Sequence, residues 1–379
     1  MLQAYRFRIY PTDEQKEAIE RNFGCARYVY NHYLEKRRYL YEKDGKKMSR
    51  FDCMRDLTLH KREEPWLKEA DSAALKYAIT HLDFAYQNFF RRVKRGENPG
   101  YPRFKSKKDR PQSYKTFPRI KGEQSVFLPK IGNVECRISR PVEGRIVSGT
   151  VSRTPSDRYF VSLTCECPEK EKLPLTGENI GLSNSAKGIL AASSLGDLFM
   201  SCNTLEENLD RIARMQRRMQ QKTPGSKRYE KARVQLAKLH EHIANQRLDA
   251  LHKLSTDLVR RYDVICLPEV PVAKAIQSGG REEARQISGE AWSEFVRQLT
   301  YKAEWYGKKV VRIKQENCMI YAGSVEEGVR QAADEVYTIG WAWDFSADAD
   351  GDAADTLMGN AQDLDDVTFS ITVSATQVD

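Results

Sequence analysis

The sequence predicts an α+β protein of several domains, with a small β-barrel, an inserted helical lobe and a following α/β layer. The chain of 379 residues is long enough for two or three domains, and 40 % of its residues are hydrophobic, which is sufficient for real cores. Apolar residues alternate with polar ones at the start and in the middle of the chain, which is typical of strands. Between and after these regions they recur every three to four residues, which is typical of helices.

The first element is a half-buried strand over residues 1–12, in which apolar and polar residues alternate until Pro11 ends the run. Thr12 or Asp13 can cap a helix, and helical spacing then continues to about Arg95. The sequence therefore predicts that a helical lobe is inserted after the first strand.

A basic segment follows the lobe. From Arg91 to Lys121 twelve Lys and Arg residues oppose two acids, a net charge of +10, and its Pro and Gly content disfavours a regular helix. Four aromatic residues are interleaved with these cations, which suits a nucleic-acid strand because cations meet phosphates and rings stack on bases. An ordinary connecting loop is the alternative.

The remaining elements are strands, then a mixed layer. Short alternating runs over residues 122–172 predict strands that complete a barrel with the first strand. After a linker near Leu173 the order is three strands, two helices, a strand, a helix and a strand. This order predicts an α/β layer of the RNase H type.

Charge is distributed very unevenly along the second half of the chain. From Asn208 to Asp263 fourteen Lys and Arg residues oppose six acids, a net charge of +8, on two helices that we expect to form a hairpin. From Ser324 to Asp379 a single Arg opposes thirteen acids, a net charge of −12. The basic segments indicate a polyanionic partner, because Lys and Arg that neutralise phosphates release condensed counterions; well-solvated basic helices are the alternative.

Composition also excludes some classes of protein. No run approaches the roughly 20 apolar residues of a membrane span, and the N-terminus lacks the apolar core of a signal peptide. We therefore expect a cytoplasmic protein with no membrane partner. The eight scattered cysteines fit neither a disulfide framework nor a C-x-x-C metal clip, so free thiols are expected.

Five segments, in this order along the chain, carry a resemblance to a known family: residues 23–31, 100–107, 225–233, 239–247 and 292–309. Together they resemble TnpB, the transposon-encoded RNA-guided DNA nuclease ancestral to the type V CRISPR effectors. The likeness extends from the first residue to about Met358.

The resemblance implies a domain plan. A wedge β-barrel would comprise residues 1–12 and 122–172, and a helical recognition lobe with its basic linker would comprise residues 13–121. A RuvC-type domain would cover residues 173–358, and an acidic tail residues 359–379. The implied partners are a structured guide RNA and a double-stranded DNA target, with one protein monomer per RNA in the bacterial cytoplasm, associated with the nucleoid. Protein would read a short motif beside the target, and base pairing would read the target itself.

The catalytic motifs of the family are degenerate in this chain. A RuvC nuclease holds two metal ions with converging carboxylates. In this sequence Ser183 stands at the expected aspartate and Pro268 at the expected glutamate, while Asp350 is retained. Neither serine nor proline replaces a carboxylate on Mg²⁺, and Glu269, one residue further along a strand, points to the opposite face. We therefore expect no metal-dependent cleavage and no catalytic cofactor.

The zinc ribbon of the family is degenerate as well. Within residues 314–346 the two C-x-x-C pairs are reduced to Cys318. A single thiolate cannot hold a tetrahedral zinc site, so no zinc is expected.

These departures resemble the nuclease-dead TnpB-like repressors (TldR), which bind DNA under RNA guidance, form an R-loop and block transcription. The chain is therefore predicted not to be an enzyme. One alternative is an active nuclease with a site rebuilt from Asp348, Asp350 and Glu269. Others are a transposon relic without guided binding, and a protein that binds RNA only.

Candidate contact residues follow from charge and from the resemblance. Those for RNA or the heteroduplex are basic positions in the two basic segments: Arg91, Arg92, Arg103, Lys105, Lys107, Lys108, Arg110, Arg214, Arg217, Arg218, Lys227 and Arg228. Those for the adjacent-motif duplex are the positions matching the family's contact residues: Phe51, Arg55, Ser72, Lys76 and, in the approach to the wedge, Thr116. For each, an ordinary solvated residue is the alternative.

Overall fold

The chain is divided into two units, each with its own sheet. The first unit contains residues 1–169 and 212–241, and the second contains the rest of the described chain. The computed structural model describes residues 1–108, 111–183, 189–200, 202, 204–269 and 291–313.

Three helices and a short 3-10 helix form the helical lobe of the first unit. The first helix begins at Thr12, whose hydroxyl accepts a hydrogen bond from the Gln15 backbone N–H (3.3 Å), and ends at Gly45 in the left-handed conformation. Buried side chains such as Tyr33, Leu57 and others from the three helices form a shared core. The helical spacing predicted up to about residue 95 is confirmed. The elements are α1 (Asp13–Asp44), α2 (Arg50–Glu63), the 3-10 helix (Pro65–Lys68) and α3 (Ser72–Lys94).

Seven antiparallel strands form the sheet of the first unit, in the order β2-β6-β7-β1-β5-β4-β3. The predicted alternation of β1 is confirmed, since Tyr5, Phe7 and Ile9 are buried. The sheet also takes in β2 and β3, which lie within the segment assigned to the basic linker. No pairing joins the edge strands β2 and β3 among the described residues, so closure into a barrel stays a prediction. The strands are β1 (Leu2–Tyr10), β2 (Gln112–Thr116), β3 (Arg119–Ile120), β4 (Ser125–Leu128), β5 (Gly132–Arg137), β6 (Arg145–Arg153) and β7 (Tyr159–Glu166).

Five strands form the mixed sheet of the second unit, in the order β10-β9-β8-β11-β12. The central strand β8 pairs antiparallel with β9 and parallel with β11, which pairs parallel with β12. Helix α7 covers the sheet with buried Trp292, Phe295 and Leu299. The elements are β8 (Asn179–Ser183), β9 (Ile189–Ser193), β10 (Leu198–Met200), β11 (Val264–Pro268), β12 (Lys309–Ile313) and α7 (Trp292–Tyr306).

Three further helices stand between β10 and β11: α4 (Thr204–Glu207), α5 (Leu209–Gln220) and α6 (Lys227–Arg261). The division into units groups residues 212–241 with the first unit, although the sequence placed them in the RuvC-type domain. Polar contacts join this segment to the turn between β6 and β7. Arg233 donates to the Pro155 carbonyl (2.7 Å), and Arg158 forms an ion pair with Glu241 (3.5 Å).

Several predictions fall on residues that the structure does not describe: Asp350, the zinc-ribbon segment 314–346 and the acidic tail. Among the described residues, no helix is long and apolar enough to cross a membrane. Of the seven described cysteines, all are free thiols and five are buried.

Candidate nucleic-acid interface

The linker, which is the part of the basic segment between α3 and β2 (residues 95–111), is fastened to helix α1 by one side chain, that of Asn31. The Asn31 amide donates to the Lys105 carbonyl (2.9 Å) and accepts from the Lys105 backbone N–H (2.8 Å). The Lys105 ammonium lies over the Tyr30 ring, 4.1 Å from its centroid. Further back, the hydroxyls of Tyr101 and Tyr86 are 3.0 Å apart. Residues 95–108, which form neither helix nor strand, are thus held against the lobe at two points.

Every described member of the predicted RNA-binding set is exposed, in the linker and in α5, α6 and α3 alike. Arg110 lies outside the described residues. Among the members on α5, the Arg217 guanidinium also donates to the Ala213 carbonyl (3.4 Å) within its own helix. This exposure leaves many guanidinium and ammonium groups at the surface, where they can meet phosphates.

The start of α3 brings together two of the predicted duplex contacts and one residue that the sequence reasoning missed. The Lys61 ammonium donates to the Ser72 hydroxyl (2.9 Å). Desolvation, and then the nearby ammonium of Lys76, hold the pKa of Lys61 below its ordinary value. Crowded ammonium groups beside a helix N-terminus favour an anion such as a backbone phosphate. Lys61 carries no sequence signal of its own, because only the packing of α2 on α3 brings it there.

Phe51 and Arg55 lie near the other end of α2 and do not join this group. Phe51 and Lys61 are ten residues apart, which is about 15 Å along a helix. Both predicted residues are exposed; the Arg50 guanidinium lies 4.8 Å from the Phe51 ring centroid, and Arg55 pairs with Asp52 at 2.8 Å.

Thr116 does not fit its predicted role as a duplex contact. Its side chain is fully buried, and its hydroxyl donates to the Asp71 carboxylate (2.6 Å). Asp71 also caps α3 by accepting from the Ala73 backbone N–H (2.9 Å), and its own N–H donates to the Asn22 side chain (2.8 Å). Thr116 thus connects β2 to the start of α3 in the interior of the first unit and is not exposed at the surface.

Ser183 and Pro268, where the sequence analysis expects carboxylates to be missing, are the last residues of the parallel strands β8 and β11. Three residue pairs define the register of β8 with β11, and continuing it places Pro268 opposite Ser183. Strand alternation puts both on the face opposite to the buried Leu182 and Leu267. Glu269 follows directly, and its backbone N–H donates to β12 (2.7 Å), so the alternation directs its side chain away from that face.

The described side chains on this face are poor ligands for Mg²⁺. The Ser183 hydroxyl donates weakly to the Ala192 carbonyl (3.4 Å), and Pro268 has no side-chain oxygen. Burial raises the pKa of the neighbouring Cys266 thiol, which keeps it protonated. No cluster of three or more His, Cys, Asp or Glu side chains that could hold a metal ion exists within the described ranges. Mg²⁺ prefers carboxylate oxygens, which these residues do not supply.

Family models match two parts of the chain. Residues 1–46 match a model described as "Helix-turn-helix domain", and residues 162–278 match one described as "Probable transposase", both of the IS605 OrfB type. In the structure the first of these segments is strand β1 followed by the single long helix α1.

Known proteins resemble the chain over most of its length. A cryo-EM structure of the Cas12f1–sgRNA–target DNA complex aligns with a TM-score of 0.48 and 11 % identity, over 86 % of this chain and 92 % of that one. A protein of Streptomyces pristinaespiralis named "Putative RNA-guided DNA endonuclease" is 35 % identical over 82 % of this chain and 77 % of its own length. InsQ of Escherichia coli K12, which carries the same description, is 29 % identical over 82 % of this chain and 80 % of its own. The two family models and the 35 % identity to the Streptomyces pristinaespiralis protein show that the chain belongs to the TnpB (IS605 OrfB) family.

Proposed function

We propose that this protein binds DNA under the guidance of an RNA, does not cleave it, and represses transcription at the bound site. The names of its relatives supply the partners, a guide RNA and a DNA target. The exposed cations of the linker and of α5 and α6 support the binding of both, because a polyanion needs such a surface. The proposal goes beyond the family relationship in two respects: the bound DNA is not cleaved, and transcription at the site is repressed.

One observation carries the loss of cleavage. Continuing the register of β8 with β11 places Ser183 opposite Pro268 on one face of the sheet, and the family resemblance expects a carboxylate at both positions. A two-metal nuclease needs negative oxygens there to hold both cations against the scissile phosphate. A hydroxyl and a proline ring supply no charge, and strand alternation directs the carboxylate of the next residue, Glu269, to the other side of the strand.

The mechanism that follows is a roadblock. Protein groups on the helical lobe contact a short duplex motif, and the guide then pairs with one strand in an R-loop. An active nuclease would cut the target at this stage. Without cleavage the R-loop persists, and a polymerase meets a stationary complex.

An active nuclease with a rebuilt site is the rival hypothesis. It would combine Glu269 with Asp348 and Asp350, of which the last two lie outside the described residues. This hypothesis requires Glu269 to reach a metal from the end of β11, and so a Glu269→Gln variant would lose cleavage.

The test uses the full chain purified with its co-expressed RNA and a guide-matched duplex. We expect the duplex to be protected from an added nuclease and to remain intact with Mg²⁺ or Mn²⁺. Ser183→Ala should change neither property, because the serine has no catalytic role in this proposal. Metal-dependent cutting that Glu269→Gln abolishes would overturn the proposal in favour of the rebuilt nuclease. Absence of any specific RNA would leave the relic hypothesis, and a specific RNA without protection of the duplex would leave a protein that binds RNA only.

A further inference from the structure

A cavity of about 240 Å³ opens in the first unit, lined by residues of α1, α3, the linker and β2. Alanines at positions 26, 74 and 78 leave this space because their side chains are short. Pockets for drug-sized ligands usually measure roughly 300–1,000 Å³, so this one suits a smaller group, of the size of a single base.

The cavity is cationic. Arg27, Lys105 and Lys115 line it, and none of the described lining residues carries a carboxylate. The Lys115 ammonium lies over the Tyr77 ring, 4.5 Å from its centroid. Desolvation, followed by the charges of Lys105 and Lys115, lowers the pKa of His81 in the same wall. An anion entering the cavity would therefore meet several positive charges, and no carboxylate among the described lining residues.

One of the lining residues, Tyr114, has a buried hydroxyl. Tyr114 is only 3 % exposed, and its hydroxyl forms no hydrogen bond with any described residue. Burial raises the pKa of Tyr114, so the group keeps its proton and can donate it. Buried polar groups are nearly always hydrogen-bonded, and an unpaired one costs free energy unless a ligand completes it.

We infer that this cavity takes one unstacked nucleotide of the bound nucleic acid, with the base beside Tyr77 and Tyr114 and the phosphate at the cationic rim. The aromatic and alanine side chains of the walls fit a flat ring. An inorganic phosphate alone has no apolar surface to pack against them. The inference rests on the proposed function in that the protein must hold a nucleic acid. It adds a specific site, of which the sequence analysis named only Lys105 as a contact and counted Tyr114 among the interleaved aromatic residues.

The first test is ultraviolet cross-linking of the purified protein–RNA complex, with and without the target duplex, followed by peptide mass spectrometry. We expect a nucleotide adduct on the peptide containing Tyr77 or the one containing Tyr114. An adduct in the RNA-only sample assigns the nucleotide to RNA, and one that needs the duplex assigns it to DNA; either supports the inference. Adducts on the linker or α5 but not on these two peptides would overturn it while leaving the proposed function intact. A preparation without any specific RNA would count against the proposed function itself.

The second test separates binding from folding. Tyr114→Phe removes an unpaired hydroxyl, so the free protein should melt at the same temperature or higher. Its affinity for the co-purifying RNA or the target should fall about fivefold, the size expected for one ordinary hydrogen bond. Lys115→Gln should weaken binding about tenfold and reduce its salt dependence, whereas Lys47→Gln, the same charge change outside the cavity, should do neither. A lower melting temperature for Tyr114→Phe, or unchanged affinity in both cavity variants, would overturn the inference.

Discussion

The buried hydrogen bond between Thr116 and Asp71 predicts the outcome of a single substitution. Thr116→Val keeps the shape of the side chain but removes the donor to a carboxylate oxygen that is itself almost fully buried. A hydrogen bond to a charged group contributes about 1.5–3 kcal/mol, and the abandoned oxygen cannot be reached by water. We therefore expect the free energy of unfolding of the first unit to fall by about 2 kcal/mol.

A change of this size is measurable. For a unit of 150–250 residues, about 2 kcal/mol lowers the melting temperature by roughly 4–8 °C. Hydrogen exchange measured by mass spectrometry should show faster exchange in the first turn of α3 and in β2, the two elements that the bond connects. Thr116→Ser keeps the hydroxyl and should behave nearly as the unsubstituted protein. A Thr116→Val protein with unchanged stability and exchange but weakened DNA binding would refute the reasoning and restore Thr116 as a direct contact.

Three further predictions follow from named interactions. Asn31→Ala removes both hydrogen bonds that fasten the linker to α1, so limited proteolysis should cut the linker faster while the melting temperature changes little. The pKa of Asp263 is lowered to about 2, chiefly by the hydrogen bond from Lys308; this carboxylate therefore contributes stability above about pH 4 that is lost as the pH falls towards 2. Asp263→Asn should flatten the pH dependence of urea denaturation in that acid range. Replacing Arg217 and Arg218 together with Gln should reduce the salt dependence of RNA binding by about 0.7 in log–log slope for each phosphate that the two guanidinium groups neutralise in the unsubstituted protein.

Local signals in the sequence predicted much of the fold. The alternation of β1, the cap at Thr12 and the helical spacing up to α3 depend on neighbours in sequence, and the structure confirms them. The exposure of the described members of the predicted RNA-binding set also agrees with what their charge predicts. These features can be predicted without knowing which helices and strands pack against each other.

Tertiary contacts decided the features that the sequence did not predict. The burial of Thr116 depends on β2 packing against the start of α3, and the approach of Lys61 to Ser72 depends on α2 packing against α3. The cavity beside Tyr114 is formed by residues far apart in the chain. Periodicity and motifs do not predict such tertiary contacts, because each of these residues is of a type that is common in its own helix or strand.

The alignment of Ser183 with Pro268 combines both kinds of information. The sequence motifs predict that a carboxylate is missing at each position, and the strand register places the two positions side by side. Strand alternation also predicts that an acid one residue later would not simply replace the missing one.

The central claim is that the protein occupies a guide-matched target without cutting it. The most direct measurement expresses the protein with its native flanking region in a bacterium, sequences the RNA that co-purifies, and maps chromosomal occupancy and DNA ends in the same cells. The account predicts a defined RNA whose end matches occupied sites, with no excess of DNA ends at those sites and lowered transcription across them. Occupied sites that carry guide-dependent breaks would contradict it.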